Sequence, residues 1–205
     1  MLKTLLAIVI AYLLGSLSSG VILSRMMNGL DIRTQGSGNS GTTNMLRVLG
    51  PKMGLLTLIC DMLKGILAAV IARSLTGTLF GGTLGAFFVV LGHNFPVFFG
   101  FKGGKGMATG FASLLVLFPF PMLLSLCTFI LCVAVTRYVS VGSIASAAST
   151  FFYILFFSGQ KLDIWTLLVV LVTCLMNIYR HKSNIVRLLE HRENKLSFGS
   201  QKKNG

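Results

Sequence analysis

Apolar stretches of span length alternate along the chain with short polar connectors: Thr4 to Leu23, Met53 to Ala72, Leu79 to Phe99, Met107 to Phe118, Pro121 to Val135, Val141 to Phe157 and Ile164 to Tyr179. Most are long enough to cross about 30 Å as helix, so the pattern predicts an all-α, polytopic integral membrane protein. Met107 to Phe118 and Pro121 to Val135 are short by that standard. They read either as two spans broken at Pro119 and Pro121 or as one long kinked span. The longest run that could not sit in a bilayer is 28 to 52, NGLDIRTQGSGNSGTTNMLRVLGPK.

Composition agrees with the pattern. With 54 % apolar and 11 % charged residues among 205, and a mean hydropathy of +0.81, the chain lacks the polar surface of a soluble domain this size. The net charge of +13 raises nucleic acid as a partner. No basic segment is interleaved with aromatics in a soluble context, however, and positive charge beside spans is what topology demands, so no nucleic-acid partner is expected.

Charge also chooses between the two readings of Met107 to Val135. With two spans there, Arg25, Arg33, Arg47, Lys52, Lys102, Lys105, Arg137 and the cluster from Arg180 to Lys203 fall on one side, leaving Lys3, Arg73 and Lys161 on the other. The positive-inside rule then predicts seven transmembrane helices, N-terminus outside and C-terminus cytoplasmic. The apolar run after Lys3 continues through Gly15 to Gly20 and fits a first span better than a cleaved signal. No internal repeat is evident, so residues 1–205 read as one domain, with about 195–205 as a flexible, solvated tail. Cys60, Cys127, Cys132 and Cys174 lie in apolar runs without metal-ligand spacing and read as packing residues; no metal and no cofactor are expected.

Candidate chemistry concentrates on one side. Gly36, Ser37, Gly38, Asn39, Ser40 and Gly41 make a backbone able to adopt positive φ and present N–H groups to an anion, with Thr42 and Thr43 adding hydroxyls and Arg33 and Arg47 flanking it. Asn44 or Thr43 would cap a helix beginning near Met45. The spacing Gly36, Gly38, Gly41 matches a dinucleotide fingerprint, but that motif needs a strand before it and a parallel sheet around it. Lys102 and Lys105 bracket Gly103 and Gly104, either as a second phosphate clamp or as two topogenic lysines. His93 reads as a hydrogen-bonded interfacial histidine rather than a base. Asp61 and Lys64 share a helix face within a span, as a functional pair or as a brace for the loop-bearing helix. Gly142, Ser143, Ser146 and Ser149 suit close helix packing, whereas Ser140 stands beside Arg137 at the mouth. On a helix, His181, Asn184, Ile185 and Leu188 would face one way, followed by Glu193; a basic amphipathic helix on anionic headgroups is the plainer reading.

These segments together carry a resemblance. GSxxxG at Gly15 to Gly20, DIRxxGSGNxGxTNxxRxxG at Asp31 to Gly50, DxxKG at Asp61 to Gly65, GHNFPVFFGFKGGKGxAT at Gly92 to Thr109, RYVSxGSI at Arg137 to Ile144 and RHxxNIxRLxxxxE at Arg180 to Glu193 resemble the bacterial acyl-phosphate:glycerol-3-phosphate acyltransferases, the PlsY family. The chain departs from that pattern at Ser18, where proline is common, at Thr42, where alanine is usual, and at His191, where many members have glycine. The resemblance implies an enzyme of the bacterial cytoplasmic (inner) membrane that takes part in phospholipid synthesis. It would move a fatty acyl group from acyl phosphate to the 1-hydroxyl of glycerol 3-phosphate, giving lysophosphatidic acid and phosphate, with membrane lipid around it and no protein partner inferred. In that frame Ser37, the 36 to 41 backbone, Arg47 and Lys105 hold phosphate oxygens and disperse charge, and Ser140, Asn184 and His181 position glycerol 3-phosphate. No nucleophile flanked by a base is evident, so direct attack by the substrate hydroxyl is expected, with His181 or a substrate phosphate taking the proton. The competing classes are a transporter for a phosphorylated solute and a scaffold that only holds lipid.

Overall fold

The computed structural model describes residues 1–196. The expected solvated tail lies, from residue 197 on, outside the described residues. Each apolar run becomes helix: α1 (Leu2–Ser16) and α2 (Ser19–Asn28) share the first, followed by α3 (Thr42–Thr76), α4 (Leu79–Asn94), α5 (Met107–Leu115), α6 (Pro119–Thr136), α7 (Val139–Phe157) and α8 (Ile164–Arg180); a short α9 (Lys182–Leu189) comes last. Pro119 opens α6, where a missing N–H costs nothing. The Met107 to Val135 region is therefore two helices. Five stretches are long and apolar enough to cross a membrane, α1 with α2 making one of them, and α8 with α9, bent by 49°, would make a sixth. α5, of 9 residues, is about 14 Å long and falls short of that length.

Two helix breaks position the site. The first separates α1 from α2 at Leu17 and Ser18, both extended. Ser18 stands at φ −76, near the value a proline ring would impose, so the break forms here without a proline. The Leu17 carbonyl, freed by the break, accepts a hydrogen bond from Lys64 Nζ at 2.8 Å. Lys64 in turn lies 2.9 Å from Asp61, and His93 Nδ1 lies 3.6 Å from the same carboxylate oxygen, all three buried. The pair thus ties α1 and α2 to α3 and α4. His93, near the end of α4, is a member of this buried group.

The second break is inside α3. Gly50 at φ 83, with Pro51 behind it, separates an arm, residues 42–49, from the span proper. A methyl on Gly54 would lie 2.8 Å from Leu46 Cβ, so the arm folds back closely on the span. The helix starts at Thr42 behind Gly41, without a side-chain cap, which corrects the expectation of a cap by Thr43 or Asn44.

α1 meets α4 at glycines: a methyl on Gly15 would sit 2.1 Å from the Val89 carbonyl oxygen. Ala69, Ala86, Leu114, Phe118, Ile154 and Val170 form the core between α3 and α8. Large apolar side chains such as Ile130, Leu131 and Val135 of α6 face outward, where a bilayer and not water suits them.

Candidate functional site

The glycine-rich loop is built around Asn44. Its amide oxygen accepts from the Ser37 N–H at 2.9 Å, and its amide nitrogen donates to the carbonyls of Ile32, Gln35 and Asn39 at 3.3, 3.0 and 2.9 Å. Gly36 and Gly38 adopt φ of 57° and 71°. Yet the Gly38 N–H donates to the Gln35 carbonyl and the Gly41 N–H to Asn39 Oδ1. Three N–H groups of the expected anion nest are therefore taken inside the loop, which presents the Ser37 and Asn39 side chains to the cavity. Asn44 stands behind the loop as its post.

Arg33 is likewise engaged. It bonds Asp31 through Nη2 at 2.8 Å and reaches the carbonyls of Phe99 and Lys102 through Nη1 at 2.7 and 3.2 Å, stitching this loop to the next. Hydrogen bonding from Arg33 holds the Asp31 carboxyl well below the usual range. The expected flanking pair of guanidinium groups reduces to Arg47, exposed on the α3 arm.

The second loop is drawn against α4 and α8. Gly104 N–H donates to the His93 carbonyl, and a methyl on Gly104 would fall 2.0 Å from His93 Nε2. Arg180 holds the loop from the other side, donating through Nη2 to the carbonyls of Gly104 at 2.8 Å and Gly103 at 3.2 Å, with its guanidinium 4.9 Å above the Phe95 ring. The two glycines thus serve close approach. Lys102 is exposed and lends its carbonyl to Arg33, while Lys105 turns inward and bonds Asn184 Oδ1.

From Asn184 a polar chain continues. Glu193 accepts from Asn184 Nδ2 at 2.7 Å, Ser140 Oγ at 2.9 Å and Arg187 Nε at 2.7 Å. Burial works to raise its pKa, but these donors outweigh burial and leave it lowered. His191 has φ 55, a left-handed turn that carries the chain from α9 to Glu193. His181 sits at the bend between α8 and α9 and is buried; its Nδ1 donates to the Asn177 carbonyl at 2.8 Å, which leaves Nε2 as the acceptor of the neutral ring. Burial, followed by the charge of Lys105, pushes His181 down to about 4. Of the face expected on this helix, His181 and Asn184 point inward, but Ile185 is exposed.

Ser37, Gly38, Asn39, Gly103 and Lys105 line one cavity of about 190 Å³. Tyr179, Arg180, Lys182, Ser183 and Arg187 complete it. Four cations thus face a space whose lining has no carboxylate. Burial, then the charge of Arg187 and more weakly Arg180 and Arg47, pushes Lys105 down to about 8 despite the opposing charge of Glu193. Gly36, Gly41, Gly104, Asn44, Ser140, Asn184, His181 and Glu193 stand behind or beside the lining. Arg47 is near enough for its charge to weigh on Lys105. Asp61, Lys64 and His93 are separate from the cavity. Arg180 and Arg187 were given no role by sequence reasoning; their spacing of seven, two helical turns, was the available signal. Among the described residues no cluster suited to a metal is found.

An all-helical bundle with several apolar helices and a cationic, loop-built cavity defines an integral membrane protein. Known proteins take the assignment further. The family model described as glycerol-3-phosphate acyltransferase matches residues 5–191, and the chain belongs to that family. A glycerol-3-phosphate acyltransferase of Clostridioides difficile (strain 630) is 42 % identical over 193 residues, covering 92 % of this chain and 93 % of the relative. One from Syntrophotalea carbinolica is 43 % identical over 188 residues, covering 90 % and 93 %. The crystal structure of PlsY (YgiH), an integral membrane glycerol 3-phosphate acyltransferase, in its glycerol 3-phosphate form superposes with a TM-score of 0.88 at 39 % identity over 95 % of this chain and 96 % of that one. Its lysophosphatidic acid form gives 0.83 at 37 % identity over 95 % of each.

Proposed function

We propose that this glycerol-3-phosphate acyltransferase uses acyl phosphate as donor, forming lysophosphatidic acid and inorganic phosphate. The observation that carries the reading is the cavity in which Lys105, Arg180, Lys182 and Arg187 meet without a lining acid, a field that suits the phosphate groups of both substrates; the choice of acyl phosphate over another anionic donor rests on the family resemblance. The glycerol hydroxyl oxygen attacks the acyl carbonyl, the bond to phosphate breaks, and phosphate leaves with the bonding pair. Ser37, Asn39, Arg47 and Lys105 hold the phosphoryl oxygens and stabilise the charge as it shifts. Asn184 and Ser140, oriented by Glu193, position glycerol 3-phosphate, and His181 Nε2 takes the hydroxyl proton unless a substrate phosphate does so. No acyl-enzyme is required.

The site opens to the bacterial cytoplasm across the inner membrane in this reading. The chain crosses seven times, with α5 as a short crossing, and most of the basic residues of the connectors lie inside, leaving Lys3, Arg73 and Lys161 on the other side. Purified protein in detergent given acyl phosphate and glycerol 3-phosphate releases phosphate and lysophosphatidic acid; with acyl-CoA in place of acyl phosphate it does not. Activity with acyl-CoA alone overturns the donor assignment. Loss of binding with kcat retained in His181→Ala removes His181 from the base role.

A further inference from the structure

The turn beneath Lys105 carries polar groups that none of the roles above use. Asn94, the last residue of α4, is 0 % exposed, and neither its amide oxygen nor its amide nitrogen has a hydrogen-bond partner. Asn177 of α8 is 7 % exposed, and its Oδ1 is equally without a partner. Both oxygens border Gly106: a methyl on it would lie 3.0 Å from each, and 2.6 Å from Val90 Cγ1, so the two acceptors sit within about 6 Å of each other. Gly106, at φ 78, caps α5 with no side chain to do so. A helix's first N–H groups have no carbonyl ahead of them. Among the described residues, those of Met107, Ala108 and Thr109 find no acceptor outside the helix.

Buried amides require partners, and two acceptors bordering the same glycine are joined well by a molecule that donates twice. We propose that Asn94 and Asn177 hold one buried water molecule under Gly106, which donates to both amide oxygens and accepts from the start of α5, making the two asparagines positioning residues for Lys105. The turn is already fixed by Arg180 on the carbonyls of Gly103 and Gly104 and by the His93 carbonyl on the Gly104 N–H. The water holds its remaining end, next to Lys105. The Asn177 carbonyl also receives His181 Nδ1, so a displaced Asn177 disturbs both groups.

The inference that these residues matter for turnover rests on the reading that Lys105 acts on substrate phosphate; the water site itself does not. Two measurements keep them apart. A crystal structure of the protein at a resolution that shows ordered water contains one water within hydrogen-bond distance of both Asn94 and Asn177. No water there, with the amides turned to pair directly, overturns the proposal. In kinetics, Asn94→Leu and Asn177→Leu, which match the volume but neither donate nor accept, lower kcat at least tenfold, change KM for glycerol 3-phosphate less than threefold, and move the alkaline limb of the pH profile by half a unit or more. Asn177→Ser, which keeps a hydroxyl and leaves room for a second water, recovers activity to within threefold of the parent. An unmoved limb with activity falling only as the folded fraction falls leaves a packing role and overturns the positioning claim. A water present while Lys105→Ala retains full turnover instead removes Lys105 from the mechanism.

Discussion

Two polar regions lie inside this apolar chain, and each contains a lysine. Around Lys64 the charges balance: Asp61 lies 2.9 Å away, the Leu17 carbonyl takes another ammonium proton, and the lysine side chain is 7 % exposed. Around Lys105 they do not, since Arg180, Lys182 and Arg187 share its cavity, and Glu193, the one acid whose charge weighs on Lys105, is already paired with Arg187 and bonded by Ser140 and Asn184. The first region pairs its own charges and braces a broken helix. The second gathers more cations than acids. Charge balance, more than the presence of ionisable groups in an apolar setting, separates brace from site.

The sharpest way to break this comparison is Lys64→Met, which strands the Asp61 carboxylate. Stability falls by about 3–5 kcal/mol, read as a loss of folded protein on heating in detergent, and Asp61→Asn added to it restores much of the loss. Activity per folded molecule is largely kept in the double variant. Should that activity vanish, the Lys64 region belongs to the chemistry and the distinction fails. Lys105→Ala behaves in the opposite way, lowering turnover by roughly 10²–10³-fold with an unchanged melting profile.

A smaller effect comes from pH. Because the Lys105 pKa is lowered to about 8, its ammonium is present below that pH and is lost above it, so kcat/KM falls on an alkaline limb near 8. Bound phosphate favours the charged form, so the limb of kcat lies higher, and Lys105→Arg, charged throughout, removes the limb altogether. The smallest effect is expected at Arg25, whose side chain is 53 % exposed where it meets Asp31. Arg25→Ala changes stability by less than about 1 kcal/mol, because Arg33 keeps the carboxylate paired.

Much of the architecture was legible because a bilayer imposes a coarse rule, long apolar runs between polar breaks, and the chain obeys it at most of its runs, the short α5 excepted. Pro119 and Pro121 left two spans and one kinked span both open, and the charge distribution favoured two; in the structure Pro119 opens α6. Less was legible in the loops. Sequence showed a string of glycines and hydroxyls suited to an anion, but hydrogen bonds inside the loop take the N–H groups of Ser37, Gly38 and Gly41. Arg33 looked like a phosphate ligand and proved to be a stitch, since Asp31 two residues before it and the carbonyls of Phe99 and Lys102 use its donors first.

The sequence by itself determined that this is a helical membrane protein, because hydropathy is a property of residues and needs no neighbours. It also carried the family, through motifs from Gly15 to Glu193. Only the tertiary structure decided which cations face the cavity, because that depends on where every donor is already engaged. Lys105 turns in while Lys102 stays out, Arg180 leaves the tail to hold a loop, and Asn94 and Asn177, seventy and more residues from each other, meet under one glycine.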